Sequence, residues 1–288
     1  MRPGWYIVNH HDVQFEESAL TRAIGGTTRP DVFRHHVATL SRRGRFIAIT
    51  EGQAMLERGD AFDEPLFSLW FDDGYAGLAP HVRPVCEEFG IQPALSICSR
   101  FIRREEMFWR VKLSVLSQRN LMGMLRERLR ARHPDVPDRV RTWSLLNFGP
   151  DLVDAIDDVY AGNISAHARA DAFRLFLTEA QVGALAAAGW LITNHTAAHY
   201  PLASGVGWDS VRASFDECET LVRRFNPGNR YWVTPFGFGS DHYLPQLTSA
   251  ATIVEVGERR NTAATWRSTG RLFRFSAPAG RDILAHLA

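Results

Sequence analysis

The chain has 288 residues, is 45% hydrophobic and carries a formal net charge of +1. That length suits one large α/β domain or two small ones and leaves ample chain to bury a core. The near-neutral balance excludes nucleic-acid binding through bulk charge, no apolar stretch nears the roughly 18–20 residues of a membrane span, and the three cysteines, Cys86, Cys98 and Cys218, are too scattered for a disulfide framework.

Trp5-Tyr6-Ile7-Val8-Asn9 reads as a strand that ends in His10-His11-Asp12. No basic-then-apolar leader precedes it, so a soluble cytoplasmic protein is expected. Val32, Phe33, His36, Val37 and Leu40 have the spacing of a helix over 30–40, and Gly44 stops it. Phe46-Ile47-Ala48-Ile49 reads as a strand, 54–56 as a short helix, and 66–71 as a buried strand. A helix near 82–89 and a strand at 93–98 follow. Strands that alternate with helices predict a parallel sheet with crossover helices.

From 99 to about 176 the rhythm changes. Arg103-Arg104-Glu105-Glu106 leads into one long helical pattern through Phe108, Leu113, Leu116, Leu121, Met124 and Leu125, ended by Pro134 and Pro137. Further helices are expected at 151–160 and 166–175. Within a single domain over 1–288 we read about 101–176 as a helical insertion. Its arginines read first as a solvated helix face; the alternative is a groove for anionic substrate groups.

The alternation resumes at Thr178, which has capping-box spacing with Gln181. Val182, Leu185 and Ala186 form an apolar stripe closed by Gly189. Trp190-Leu191-Ile192-Thr193 is a strand ending in Asn194-His195-Thr196-Ala197-Ala198-His199. An amphipathic helix over 211–225 stops at Pro227-Gly228. Tyr231-Trp232-Val233-Thr234 leads into Pro235-Phe236-Gly237, and 252–254 and 272–275 are the last strands. Asp241 and His242 read as the start of a helix. His35 and His36 have no evident partner.

The polar clusters all stand just past strand ends: His10-His11, Asp72-Asp73-Gly74, His195 with His199, and the Pro235 turn. In a parallel barrel every strand's C-terminal end opens on one face, so these clusters converge there. Adjacent carboxylates raise each other's pKa unless a cation or a division of labour relieves them. Successive side chains on a strand point to opposite faces, a rule that relaxes at its end, so both aspartates can reach one pocket. Histidines four apart share one side of a helical turn, and two imidazoles with one carboxylate suit zinc or its first-row neighbours.

Phe71-Asp72-Asp73-Gly74 resembles the first motif of the NodB-like polysaccharide deacetylases, His195-Thr196-Ala197-Ala198-His199 their second, and Val233-Thr234-Pro235-Phe236-Gly237 their third. The stretch 177–202 is similar throughout, and His11-Asp12-Val13 resembles the Tyr-His-x-Val opening. The resemblance leaves out about 103–174. It implies a deformed (β/α) barrel, here interrupted by the helical insertion read above, and a metal-dependent hydrolase that removes acyl groups from N-acylated sugars. It further implies Asp72 as general base and Asp73, His195 and His199 as ligands of a divalent metal, Zn2+ first, with Co2+, Ni2+, Fe2+ or Mn2+ as alternatives. By the same analogy the Phe236 backbone N–H meets the oxyanion.

This chain departs from the pattern in places. Trp70 replaces a usual threonine, a change read as affecting packing. Val233 stands where many members carry an arginine that orients the base, as in a sub-branch with a small or apolar residue there. For the general acid, His286 in Ile283-Leu284-Ala285-His286 has the family spacing but reads as helical. His11 is preferred, with His10 next and Asp12 as a group that could orient either. The expected substrate is an N-acetyl or N-formyl amino sugar, nucleotide- or lipid-linked, on the way to a surface glycan or glycosylated metabolite. The alternatives are a non-sugar amide on the same scaffold, or a catalytically silent glycan-binding domain.

Overall fold

In the computed structural model, residues 1–22, 24–202, 206–237 and 243–287 are described. In chain order the elements are β1 (Gly4–His10), β2 (Asp12–Val13), β3 (Thr27–Thr28), α1 (Pro30–Ser41), β4 (Arg45–Phe46), α2 (Ile49–Arg58), β5 (Pro65–Phe71), α3 (Arg83–Glu88) and β6 (Ala94–Ile97). Six helices follow: α4 (Ser99–Ile102), α5 (Trp109–Gln118), α6 (Met122–Arg130), α7 (Val140–Leu146), α8 (Pro150–Asn163) and α9 (Ala166–Ala172). The chain closes with α10 (Glu179–Ala187), β7 (Leu191–Asn194), α11 (Trp208–Val222), β8 (Tyr231–Val233), α12 (Leu244–Ala250), β9 (Thr252–Val256), α13 (Ala263–Thr269), β10 (Leu272–Ser276) and α14 (Ile283–His286).

Among the described residues, seven parallel strands close into a ring in the order β1-β10-β9-β8-β7-β6-β5, because β1 pairs with both β10 and β5. Strand β5 carries β1 along one edge from Gly4↔Pro65 to His10↔Phe71; its other edge holds β4 at its start and β6 at its end. The two-residue β4 is thus a wedge at the base of the barrel.

Side-chain alternation divides the strands between two cores. Trp5, Ile7, Leu66, Trp70, Tyr231, Val233, Val254 and Leu272 fill the barrel. Tyr6, Val8, Phe67, Leu69, Phe71, Leu95 and Ile192 face outward beneath the covering helices. The aromatic filling is tight: a Cβ at Gly52 would stand 2.5 Å from the Trp5 ring. Both indole nitrogens in it are satisfied, with Trp5 Nε1 donating to Ser68 Oγ at 2.8 Å and Trp70 Nε1 to Ser96 Oγ at 2.5 Å. Trp70 therefore acts in packing, as expected.

The insertion builds a core of its own from Phe108, Trp109, Leu113, Leu116, Leu125, Leu152, Ile156 and Phe176. It is tied to the barrel mouth: Leu177 N–H donates to Gly74 O and Ala76 N–H to Leu175 O, each at 2.8 Å, and Trp109 Nε1 donates to His199 O at 3.3 Å.

The structure corrects several expectations. The strand expected at 46–49 is only Arg45–Phe46, and Ile49 already opens α2. The apolar run there caps the barrel base through Ile47 and Ile49 instead of extending the sheet. The long helix expected through Leu125 is broken between α5 and α6, where Asn120 takes φ 59°. Helix α7 was not anticipated. His36 is not partnerless, since its Nε2 meets Gly280 O at 2.6 Å. Asp241 and His242 lie outside the described residues.

Candidate active site

The same alternation that packs the barrel puts Asn9, Asp72 and Arg274 in its upper interior. Arg274 Nη1 donates to Asp72 Oδ1 at 2.8 Å and to Asn9 Oδ1 at 3.0 Å, and Asn9 Nδ2 donates to Asp72 Oδ2 at 3.0 Å. The Arg274 guanidinium also lies 5.6 Å from the Trp70 ring centre. Burial by itself raises the Asp72 carboxyl; Arg274 first, then His195 and His11, outweigh it and hold the group below the usual carboxylate range. Asp72 is thus an ionised, fixed acceptor.

Asp73 follows with its backbone in the left-handed region at φ 69°. That turn, continued by Gly74 at φ 79°, swings its side chain into the cavity beside Asp72 instead of out to the opposite face. Asp73 Oδ1 stands 3.5 Å from His195 Nε2 and 3.3 Å from His199 Nε2. The two histidines are brought together differently from the expected helical turn. Thr196 at φ 69° and His199 at φ 55° make a left-handed loop, in which Thr196 Oγ1 accepts from His199 N–H at 3.2 Å. Among the described residues, seven non-glycine positions have positive φ, and Asp73, Thr196, His199 and Phe236 are four of them. Strain of that kind persists only where the surroundings over-determine it, and here it gathers at one site.

The donor set suits a cation. One ligand atom each from Asp73, His195 and His199 fits within 4.8 Å of the others, and all three residues are buried. Asp73 Oδ1 has no hydrogen-bond partner. His195 Nδ1 donates to Val233 O at 2.8 Å, which leaves its Nε2 lone pair facing Asp73. Burial lowers both imidazoles, His195 to about 4, so they stand neutral as ligands must. Burial and the neighbouring Asp72 charge push Asp73 well above the usual range. A divalent cation relieves that cost, so these residues fit the metal.

His11 faces the same cavity, its Nε2 3.9 Å from Asp72 Oδ2 and its side chain 39% exposed. Desolvation lowers its pKa, Asp72 opposes this, and Arg274 lowers it further. The other candidate acids are elsewhere. His10 points outward, where its ring packs against Phe33, His36 and Phe71. His286 sits on α14, 3.7 Å from Glu258. Asp12 orients neither histidine: its buried oxygens have no side-chain partner. Phe236, at φ 60°, forms a wall of the cavity with its ring 4.5 Å from that of His199.

The cavity measures about 320 Å³ and is also lined by Tyr75, Phe108 and Arg110. A larger groove of about 790 Å³ runs over α6 and α8, but its charges are exposed and paired with one another, as in Arg128–Asp158. The buried, strained and uncompensated groups are in the smaller one.

Sequence reasoning missed Arg274 and Asn9. Arg274 supplies the orienting cation that Val233 cannot, from a different strand. One signal was present: a lone charge inside the apolar run Leu272-Phe273-Arg274-Phe275, in phase with inward-facing Leu272.

No protein-family model and no curated protein matches the sequence. Solved structures do. The Streptococcus pyogenes deacetylase PplD, in complex with acetate, is similar with a TM-score of 0.65 at 13% identity over 99% of both chains. IcaB from Ammonifex degensii gives 0.63 at 12% identity over 100% of this chain and 98% of its own. A de-N-acetylase from Aggregatibacter actinomycetemcomitans gives 0.61 at 13% over 99% of both. At such identities the likeness establishes the fold alone, the (β/α) barrel that the motifs implied.

Proposed function

We propose that this chain is a metal-dependent hydrolase that removes an acetyl or formyl group from the nitrogen of an amino sugar. The observation that carries the reading is the convergence of Asp73, His195 and His199 in one cavity, with a second carboxylate, Asp72, held apart from them by buried Arg274. The deacetylases that share the fold support the reaction class.

Two imidazole nitrogens and one carboxylate oxygen favour Zn2+, with Co2+, Ni2+, Fe2+ and Mn2+ as the alternatives to be tested. When bound, the ion supplies a Lewis acid that polarises the amide carbonyl and acidifies water. The chain's own residues do the rest. Asp72, fixed by Arg274 and Asn9, takes a proton from the attacking water. The Phe236 backbone N–H meets the developing oxyanion, a role that its left-handed turn at the cavity wall supports. His11 delivers a proton to the leaving nitrogen as the C–N bond breaks, which gives a free amine and acetate or formate. The cavity lies at the small end of the range for ligand pockets. That supports a single sugar, nucleotide- or lipid-linked, over an extended polymer.

The test is acetate and formate release from a panel of nucleotide-linked, lipid-linked and polymeric amino sugars and a non-sugar amide, with and without a chelator. Release from a sugar, abolished by chelation and by Asp72→Asn, is expected. Release only from the non-sugar amide overturns the substrate class. Glycan binding with no release and no stoichiometric metal identifies a silent binding domain instead.

A further inference from the structure

Most cations of the insertion that approach other elements meet a carboxylate. Lys112 pairs with Asp157, Arg126 with Asp138, and Arg132 with Asp151. Arg110 does not. It sits in the first turn of α5, is partly buried, and lines the catalytic cavity. Among the described residues no carboxylate pairs with it. Its guanidinium rests against two aromatic rings, 5.4 Å from the centre of Trp109 and 5.7 Å from that of Phe236. Neither ring accepts its N–H donors as a carboxylate would, and the residue lines the cavity.

A second cation lies close by. Arg141, from α7, donates Nη2 to Ile24 O at 3.1 Å, and Ile24 with Gly25 and Gly26 forms the rim of the cavity. Arg141 too lacks a carboxylate partner among the described residues. Burial, then the charge of Arg141, pushes the Arg110 guanidinium down to about 10. Two like charges, one of them partly buried, are costly without an anion between them.

We propose that Arg110 and Arg141 form an oxyanion subsite at the mouth of the catalytic cavity, which selects amino sugars that carry a phosphate or carboxylate close to the N-acyl group. The inference rests on the hydrolase reading and adds to it the charge of the substrate. The aromatic ring of Phe236 lies against both the Arg110 guanidinium and the His199 imidazole, so the subsite and the metal-ligand cluster are neighbours. A guanidinium stacked on rings is a preorganised fork, which favours bidentate contact with two oxygens of one anionic group. The insertion thereby acts in specificity, and the barrel in chemistry.

Wild type, Arg110→Gln, Arg110→Lys and Arg141→Gln are compared on three substrates: N-acetylglucosamine 1-phosphate, N-acetylmuramic acid and neutral N-acetylglucosamine. Arg110→Gln is expected to raise KM for the anionic substrates about 10-fold or more. Its effect on KM for the neutral sugar should be smaller by about 10-fold, so the variant loses discrimination between charged and neutral substrates. Arg110→Lys should recover part of the loss, and Arg141→Gln, at an exposed position that does not endanger folding, should reproduce a smaller part of it. Preference between the phosphate and the carboxylate identifies the source of the anion. Equal KM changes for charged and neutral substrates overturn the proposal. If wild type hydrolyses none of the three, calorimetry of the full chain with N-acetylglucosamine 1-phosphate decides the subsite separately from the hydrolase reading. Binding lost in Arg110→Gln upholds it, and binding unchanged in both arginine variants overturns it.

Discussion

Arg274→Met removes the arginine that hydrogen-bonds Asp72. The two side chains are 2% and 3% exposed, so solvent screens the pair little. Unit charges about 4 Å apart at an effective dielectric near 20 attract by about 4 kcal/mol. Breaking a buried pair by removing one partner costs about 3–5 kcal/mol, because the other charge stays buried and unpaired. Arg274→Met is therefore expected to lose about that much at pH 7, a large share of the 5–15 kcal/mol typical of whole domains. Removing both charges, in Arg274→Met with Asp72→Asn, should restore about 2 kcal/mol or more of it. The sign of the pH dependence is fixed as well. In the wild type the folded pKa of Asp72 lies below its unfolded value. Its stabilisation is thus present above the ordinary carboxyl pKa and fades only as the pH falls through the folded value. Without Arg274, burial dominates and raises the folded pKa, so the deficit of the variant grows as pH rises from about 3 to 7. Urea unfolding of the four members of the cycle, at constant m, measures this. Costs that add to within about 0.5 kcal/mol would falsify the claim that Arg274 holds Asp72.

Other expectations are independent of that one. Asp73→Ala and His199→Ala should strip the protein of metal, measured by elemental analysis, whereas Asp72→Asn should keep it; loss of metal from Asp72→Asn would reverse the roles of the two aspartates. His11→Gln should lower kcat by roughly 10²- to 10⁴-fold with metal content unchanged, and an unchanged kcat removes His11 as the acid. Asp12 is buried without a side-chain partner, and burial raises it from 3.8 to about 7. The unfolded chain releases that proton near pH 4 and the folded chain only near pH 7, so stability falls as pH rises across that interval. Asp12→Asn should therefore be indistinguishable from wild type in stability near pH 3, yet more stable by up to roughly 4 kcal/mol above pH 7, and a pH-independent difference between the two refutes the assignment.

The site was legible where it depended on strand ends. Asp72, Asp73, His195, His199 and His11 each follow a strand whose apolar run was plain, and in a parallel barrel that is enough to bring them to one mouth. What escaped depends on register or on backbone strain. Arg274 reaches Asp72 because β10 and β5 flank β1 on either side, which no local pattern reveals. Thr196 is β-branched and a poor left-handed former, so a helical turn was the better local reading; packing against Phe108 and the Trp109 contact to His199 O accompany the turn the sequence alone does not favour. Asn120, by contrast, is a residue that tolerates the left-handed region, and the break it makes between α5 and α6 had a signal that the longer apolar periodicity concealed.

The two adjacent aspartates differ in what the protein gives them, and that difference argues for their separate roles. Asp72 is paired with a cation the chain itself supplies, so its charge is settled on folding. Asp73 has only neutral imidazoles against its Oδ1, and its charge is left open. A fold that could place one arginine beside the pair has placed it on one member alone, which keeps the other free for an ion from solution. Arg110 is the same arrangement with the sign reversed: a cation lodged at the same cavity among aromatic rings, with the carboxylates of the insertion spent on its neighbours. On the proposed reading, a cation held at Asp73 and the guanidinium of Arg110, both beside the Phe236 ring, would meet the carbonyl and the oxyanion of one ligand.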